Sequence, residues 1–122
     1  MGITTRLLAT IKEELKYTQA VIVTRHPATQ EFIQRTIELP DDTPVLSTVT
    51  PEDVAGKIVF GNIPLSLAAI AARVVVVEFN EPPRGHEYSL QEMHAAGAQL
   101  LSYNVNHNYG YLWVEGKGYV RP

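Results

Sequence analysis

The chain has no cysteine among its 122 residues. Disulfides, thiolate zinc sites and cysteine nucleophiles are therefore excluded, and the composition is compatible with a reducing cytoplasm. Long apolar runs are also missing: the longest, residues 65–72, is interrupted by Ser66 and is too short to span a bilayer. Residues 1–19 carry charges throughout and do not resemble a signal peptide. We expect a cytoplasmic protein with no membrane partner.

Positive charge is scarce as well. Lysine and arginine number 10 and the acidic residues 13, so the formal net charge is −3. A chain of this charge is not expected to coat DNA, and any phosphate site in it must be local.

The glycine-rich nucleotide motifs are absent. Neither G-x-G-x-x-G nor G-x-x-x-x-G-K-[ST] follows the first predicted strand, which argues against a dinucleotide cofactor and against P-loop hydrolysis. The 4 histidines lack metal-ligand spacing, so we predict neither a metal nor a cofactor.

Apolar runs and helical periodicities alternate along the chain, which is typical of an α/β protein with a mostly parallel sheet and helices on both faces. We predict one small Rossmann-like domain over residues 1–122, with a core at 20–105, a helical extension at 1–19 and a hairpin extension at 106–122. The predicted strands are 20–24, 45–49, 57–60, 73–79 and 102–105, and the predicted helices are 4–18, 27–37, 64–72 and 89–100, with one helical turn before Gly56 and a hairpin over 111–121. The helix at 64–72 is apolar nearly all round and is expected to be buried.

The strongest functional signal lies where the strand at 20–24 meets a helix beginning at Pro27. A helix N-terminus carries unpaired N–H groups and partial positive charge, which suits an anion. Arg25 adds a permanent cation and His26 a group that titrates near neutral pH, so phosphate is the natural ligand. The simpler alternative is that both residues only cap the helix.

Other polar residues follow later strands and should meet at the same sheet edge, where open α/β sheets bind ligands. Each has a simpler reading, as a turn or a solvated loop. The predicted ligand-binding residues are Thr24, Arg25, Gly61, Asn62, Arg84 and His86, with Glu78 and Asn80 at the same edge, and the predicted catalytic residues are His26, Arg25 and Glu87.

Four segments together resemble a family of small stand-alone CRISPR-associated proteins found beside type III systems. They are TRHP at 24–27, GNIPL at 61–65, PRGHEYS at 83–89 and GA at 97–98, and the resemblance covers about residues 21–105. His86 stands where the family pattern more often has arginine. The resemblance implies a Rossmann-like (CARF-like) domain and a ring nuclease that degrades cyclic oligoadenylate messengers.

The activity implied by this resemblance needs no metal, because a ribose 2′-OH can attack the neighbouring phosphorus. Arg25 and the helix N-terminus would hold phosphate, His26 would transfer protons, and Asn62 would hold ribose or phosphate. Arg84 and Glu87 would close over the ligand. A four-adenylate ring has two-fold symmetry, so one ring per homodimer is the expected geometry.

Three alternatives remain open. The protein could bind the messenger without cutting it, as a sensor or a sponge. It could be a structural subunit whose N-terminal helix and aromatic hairpin recruit a partner. It could also be an unrelated nucleotide or sugar-phosphate enzyme, because a fold does not fix a function.

Overall fold

The structure is a computed structural model and describes residues 5–79, 88–107 and 112–120. The helices are α1 (Thr5–Glu14), α2 (Pro27–Ile37), α3 (Pro51–Val54), α4 (Leu65–Ala68) and α5 (Leu90–Ala95). The strands are β1 (Ala20–Val23), β2 (Val45–Leu46), β3 (Ile58–Phe60), β4 (Arg73–Glu78), β5 (Gln99–Tyr103), β6 (Leu112–Val114) and β7 (Gly118–Val120).

The first five strands form one sheet in the order β2-β1-β3-β4-β5. The pairs β1–β2, β1–β3 and β3–β4 are parallel, and β5 is antiparallel to β4. The predicted mostly parallel, Rossmann-like sheet is therefore confirmed. Because β1 lies between β2 and β3, the direction of winding reverses there, and a doubly wound sheet opens a crevice at that point.

The central strands are apolar along their whole length because they are covered on both faces. Ile22, Phe60 and Val75 point into a cluster covered by α1, α2 and α5. Val21 and Val59, which alternate with them, pack in a second cluster with α3 and α4. Helices therefore lie on both faces, as predicted.

The start and end of α2, Pro27–Ile37, agree with the predicted range. The helix predicted to reach residue 100 ends at Ala95 instead, and Gly97 follows with a φ of +74°. The Ala98 N–H donates to the Met93 carbonyl at 3.0 Å and the Gly97 N–H to the His94 carbonyl at 3.1 Å. This is a Schellman cap, which a glycine in the left-handed conformation favours. The fifth strand therefore starts earlier than predicted.

Other predicted elements are shorter in the structure. The strand predicted over 45–49 ends at Leu46, and the helix predicted over 64–72 is a single turn ending at Ala68. The expectation that this helix is buried was wrong, because Leu65 is 74% exposed and Ile70 is 43% exposed. Only Ala68 of this turn is buried, since one turn has room for a single inward position.

The two predicted extensions both contain regular structure. The helix predicted over 4–18 is shorter, and α1 packs on the sheet through Ile11, which is fully buried. At the other end, β6 and β7 form an antiparallel hairpin, as predicted. None of the helices in the described ranges is long and apolar enough to cross a membrane.

Candidate functional site

A cavity of about 710 Å³ lies at the carboxyl ends of β1 and β3, where the winding of the sheet reverses. It extends to the residues that follow β2 and β4 and to the first turn of α2. Its lining residues are Val23, Thr24, Arg25, His26, Thr29, Ser47, Gly61, Asn62, Val77, Phe79 and Tyr88. This is the place at which open α/β sheets bind ligands.

The turn between β1 and α2 brings an arginine and a histidine, Arg25 and His26, to this cavity. The Thr24 Oγ1 accepts a hydrogen bond from the His26 backbone N–H at 3.1 Å, and the Thr24 N–H donates to the Leu46 carbonyl at 3.1 Å. His26 is the N-cap residue of α2 in an extended conformation, and Pro27 takes the first helical position. The helix therefore begins at the cavity wall.

The side chain of the N-cap residue His26 makes no capping hydrogen bond to α2. The first N–H groups of a helix have no partner within the helix, so they present partial positive charge at this end. Their position beside Arg25 and His26 makes this wall of the cavity electropositive.

The described lining of the cavity differs in charge from the chain as a whole. Arg25 and His26 are both exposed, and no carboxylate belongs to the described residues that line the cavity. Within the described ranges, Arg25 forms no salt bridge. A protein of net charge −3 thus presents an arginine here without a carboxylate partner from its described part. An anionic ligand would neutralise that charge.

Gly61 directly follows β3 and packs tightly against the end of β1. Its φ is +143°, and a Cβ atom at this position would lie 2.0 Å from the Val23 carbonyl oxygen. Its backbone N–H donates to the Val75 carbonyl at 2.8 Å. Only glycine fits this conformation and this contact. Gly61 therefore shapes the cavity floor, and Asn62 follows it as an exposed residue of the lining.

The structure brings five of the predicted site residues around one cavity: Thr24, Arg25, His26, Gly61 and Asn62. The other three, Arg84, His86 and Glu87, lie outside the described residues, as does Asn80. The chemical roles assigned to all of them remain predictions.

Glu78 was expected at the same edge but does not line the cavity. Its carboxylate accepts a hydrogen bond from the Tyr103 hydroxyl at 2.6 Å, and this bond raises the pKa of that tyrosine. Side chains alternate between the faces of a strand, so Glu78 points away from Val77, which does line the cavity. Glu78 therefore ends β4 at the expected sheet edge, but it is not part of the cavity lining.

Sequence reasoning missed six lining residues, namely Val23, Thr29, Ser47, Val77, Phe79 and Tyr88. Ser47 was predicted to lie inside a strand over 45–49, whereas β2 ends at Leu46 and Ser47 directly follows it. A prediction that ended this strand at residue 46 would have placed Ser47 at the ligand-binding edge of the sheet. Thr29 is the third residue of α2, two positions after Pro27, where the helix was predicted to begin.

No local sequence pattern indicates that the two aromatic lining residues are in contact, because they lie nine positions apart in the chain. Phe79 and Tyr88 pack edge to face, with ring centroids 5.2 Å apart and an interplanar angle of 79°. Only the packed structure brings them together.

The described residues contain no group of three or more histidine, cysteine, aspartate or glutamate side chains arranged to hold a metal ion. The cavity can bind an anion through Arg25 and the α2 N-terminus, and it can transfer a proton through the His26 imidazole.

Comparison with known proteins places the chain in a family. The family model described as "Putative CRISPR-associated protein (Cas_VVA1548)" matches residues 21–106. The matched stretch contains all the described residues that line the cavity. No curated protein and no solved structure gives a significant match to the chain.

Proposed function

The chain belongs to this family of CRISPR-associated proteins, and from that premise we propose that it is a metal-independent ring nuclease. Its substrate is cyclic tetra-adenylate, the second messenger of type III antiviral signalling. Opening the ring in the cytoplasm switches the signal off. This proposal joins the family membership to the chemistry that the cavity offers.

The observation that carries the proposal is the electropositive wall at the switch point. Arg25, His26 and the first turn of α2 line one cavity to which the described residues contribute no carboxylate. A phosphodiester needs such donors around its charged oxygens, and it needs a titratable group nearby.

The proposed reaction assigns a role to each part of this arrangement. A ribose 2′-oxygen forms a bond to the adjacent phosphorus while the bond from phosphorus to the 5′-oxygen breaks. The 2′-hydroxyl loses its proton, the 5′-oxygen gains one, and the product ends in a 2′,3′-cyclic phosphate. Arg25 and the α2 N-terminus stabilise the charge on the phosphoryl oxygens, and His26 transfers one proton.

We assign the second proton transfer to Glu87, which immediately precedes the lining residue Tyr88 in the chain. Thr24, Gly61 and Asn62 complete the binding site, with Arg84 and His86 from the segment before Glu87. We also propose a homodimer, since a two-fold symmetric ring fits between two identical sites. Titration should then give one ring bound per two chains.

The first experiment tests cleavage directly. Purified protein is incubated with cyclic tetra-adenylate in EDTA, and the products are followed by mass spectrometry. We expect linear products that end in a 2′,3′-cyclic phosphate. Loss of turnover in EDTA would contradict metal independence. Tight binding without any product would instead favour a sensor or sponge.

The second experiment tests His26. His26→Ala should reduce cleavage by about 100-fold or more, the usual contribution of a general acid or base, while binding changes little. His94→Ala is a matched control, because His94 lies on α5 against Phe32 and outside the cavity lining. Equal cleavage rates for the two variants would rule out a catalytic role for His26.

A further inference from the structure

The cavity has two chemically different parts. One part is polar and cationic and contains Arg25, His26 and Asn62. The other part is apolar and contains Val77, Phe79 and Tyr88. A bare phosphate or a sugar phosphate would leave the apolar part unused, because both are hydrophilic throughout. A ligand that joins an anion to a flat apolar ring system would use both parts.

The aromatic pair is placed to contact such a ring system. Phe79 and Tyr88 are only partly buried, and they pack at the margin of the core cluster that contains Phe60 and Val75. Their edge-to-face geometry, with centroids 5.2 Å apart, holds both rings at the cavity. Base–aromatic stacking is a common way in which proteins bind single-stranded nucleotides.

We propose that Phe79 and Tyr88 form the platform on which an adenine base stacks while Arg25 holds the adjoining phosphate. This inference rests on the proposed function for the identity of the base. The nucleotide class itself follows from the two parts of the cavity. The pair is thus a determinant of specificity that separates a nucleotide from a sugar phosphate.

The test uses two probes that differ only in the base, adenosine 5′-monophosphate and ribose 5-phosphate. Calorimetric titration of the wild-type chain should show tighter binding of the adenosine compound. Tyr88→Leu should weaken its binding by about 5- to 100-fold, the range typical of one lost base–aromatic stack. Binding of ribose 5-phosphate should change by less than about two-fold, since its contacts do not involve the platform.

Three further variants make the result specific. Tyr88→Phe keeps the ring and should retain most of the affinity for adenosine monophosphate. Phe79→Leu should weaken that affinity in the same direction, and it replaces Tyr88→Leu if the latter fails to fold. Tyr17→Leu is the matched control, because Tyr17 is 85% exposed and lies outside this cavity, and it should change nothing.

The platform is overturned if the wild-type chain binds both probes equally or binds neither. It is also overturned if Tyr88→Leu and Phe79→Leu weaken both probes to the same extent. These outcomes are separate from a failure of the proposed function. A chain that selects adenosine monophosphate through Tyr88 but never cuts the cyclic tetramer keeps the platform and loses the nuclease activity. If the Tyr88→Leu variant cuts the cyclic tetramer with an unchanged KM, the nuclease activity is kept and the platform is lost.

Discussion

Two arginines at opposite ends of the sheet have opposite surroundings. Arg73 opens β4 and binds Glu14 of α1 through two hydrogen bonds, Nε to Oε1 at 2.9 Å and Nη2 to Oε2 at 2.5 Å. Its Nη1 also donates to the Ser102 hydroxyl at 2.7 Å. The Arg73 side chain is only 17% exposed, and its hydrogen bonds hold the pKa of Glu14 below the usual value.

Arg25, beyond the carboxyl end of β1, is exposed and pairs with no carboxylate in the described ranges. It stands beside a helix N-terminus, a position that would repel a cation unless an anion were bound. Described residues of the fold thus satisfy Arg73, whereas no described carboxylate pairs with Arg25, which we propose binds a ligand. The same side chain is structural at one end of the sheet and is proposed to be functional at the other.

The largest expected effect comes from a change at Gly61, which tests how rigidly the cavity end is built. Gly61→Ala should lower the free energy of unfolding by about 3 kcal/mol or more, because its Cβ would collide with the Val23 carbonyl and force the backbone apart. Denaturant titration measures this loss.

Gly56→Ala is the matched control, because Gly56 has a φ of +68° and nothing within 4 Å of an added Cβ. This variant should lower the free energy of unfolding by only about 1 kcal/mol, from backbone strain alone. Similar losses for the two variants would show that the contact between β1 and β3 is not a steric requirement.

Substituting the two arginines tests the comparison itself. Arg73→Ala should lower the free energy of unfolding by about 2 kcal/mol, since it leaves Glu14 without its partner, and it should not change binding of cyclic tetra-adenylate. Arg25→Ala should change stability by less than about 0.5 kcal/mol and weaken that binding by about 10- to 100-fold. The contrast fails if Arg25→Ala destabilises as much as Arg73→Ala, or if it leaves binding intact.

A smaller effect should appear in the pH dependence of stability. The pKa of Glu14 is lowered from its ordinary value of 4.5, chiefly by its hydrogen bonds from Arg73. A carboxylate with a lowered folded-state pKa stabilises the fold fully above its ordinary pKa and loses this contribution as the pH falls through the lowered pKa. The Glu14 side chain is 34% exposed, so the contribution is about 1 kcal/mol or less.

The measurement compares unfolding of the wild-type chain and Glu14→Gln between pH 7 and pH 3. The difference between their free energies of unfolding should be constant near neutral pH and become smaller at acid pH. Glu13→Gln is the control. The Glu13 and Lys16 side chains, which form a salt bridge, are 62% and 64% exposed, so this pair should contribute less to the free energy of unfolding. A difference that grows toward acid would contradict the proposed direction.

Much of the fold could be predicted because its signals are local. Pro27 marks the start of α2, and the reciprocal hydrogen bonds between Ser89 and Glu92 mark the start of α5. The ends were harder to predict. Gly97 terminates α5 although apolar residues continue beyond it, and Leu65 is exposed although its segment is apolar.

The candidate site was predicted in part for the same reason. Thr24, Arg25 and His26 are consecutive, so one strand-to-helix junction was enough to place them together. Ser47 and Tyr88 belong to other strand ends, and their presence in the cavity depends on which strands are neighbours.

Residues within a few positions of one another thus determined the α/β alternation, the helix caps and the junction at His26, because these depend on backbone hydrogen bonds and periodicity within a single segment. The tertiary structure alone decided that β1 lies between β2 and β3, and that Gly61 meets Val23 there. Strand order is set by how distant apolar faces pack, which leaves no periodic mark in the chain. The tertiary structure also decided that Arg73 pairs with Glu14, and that Arg25 lines the cavity without a carboxylate partner among the described residues.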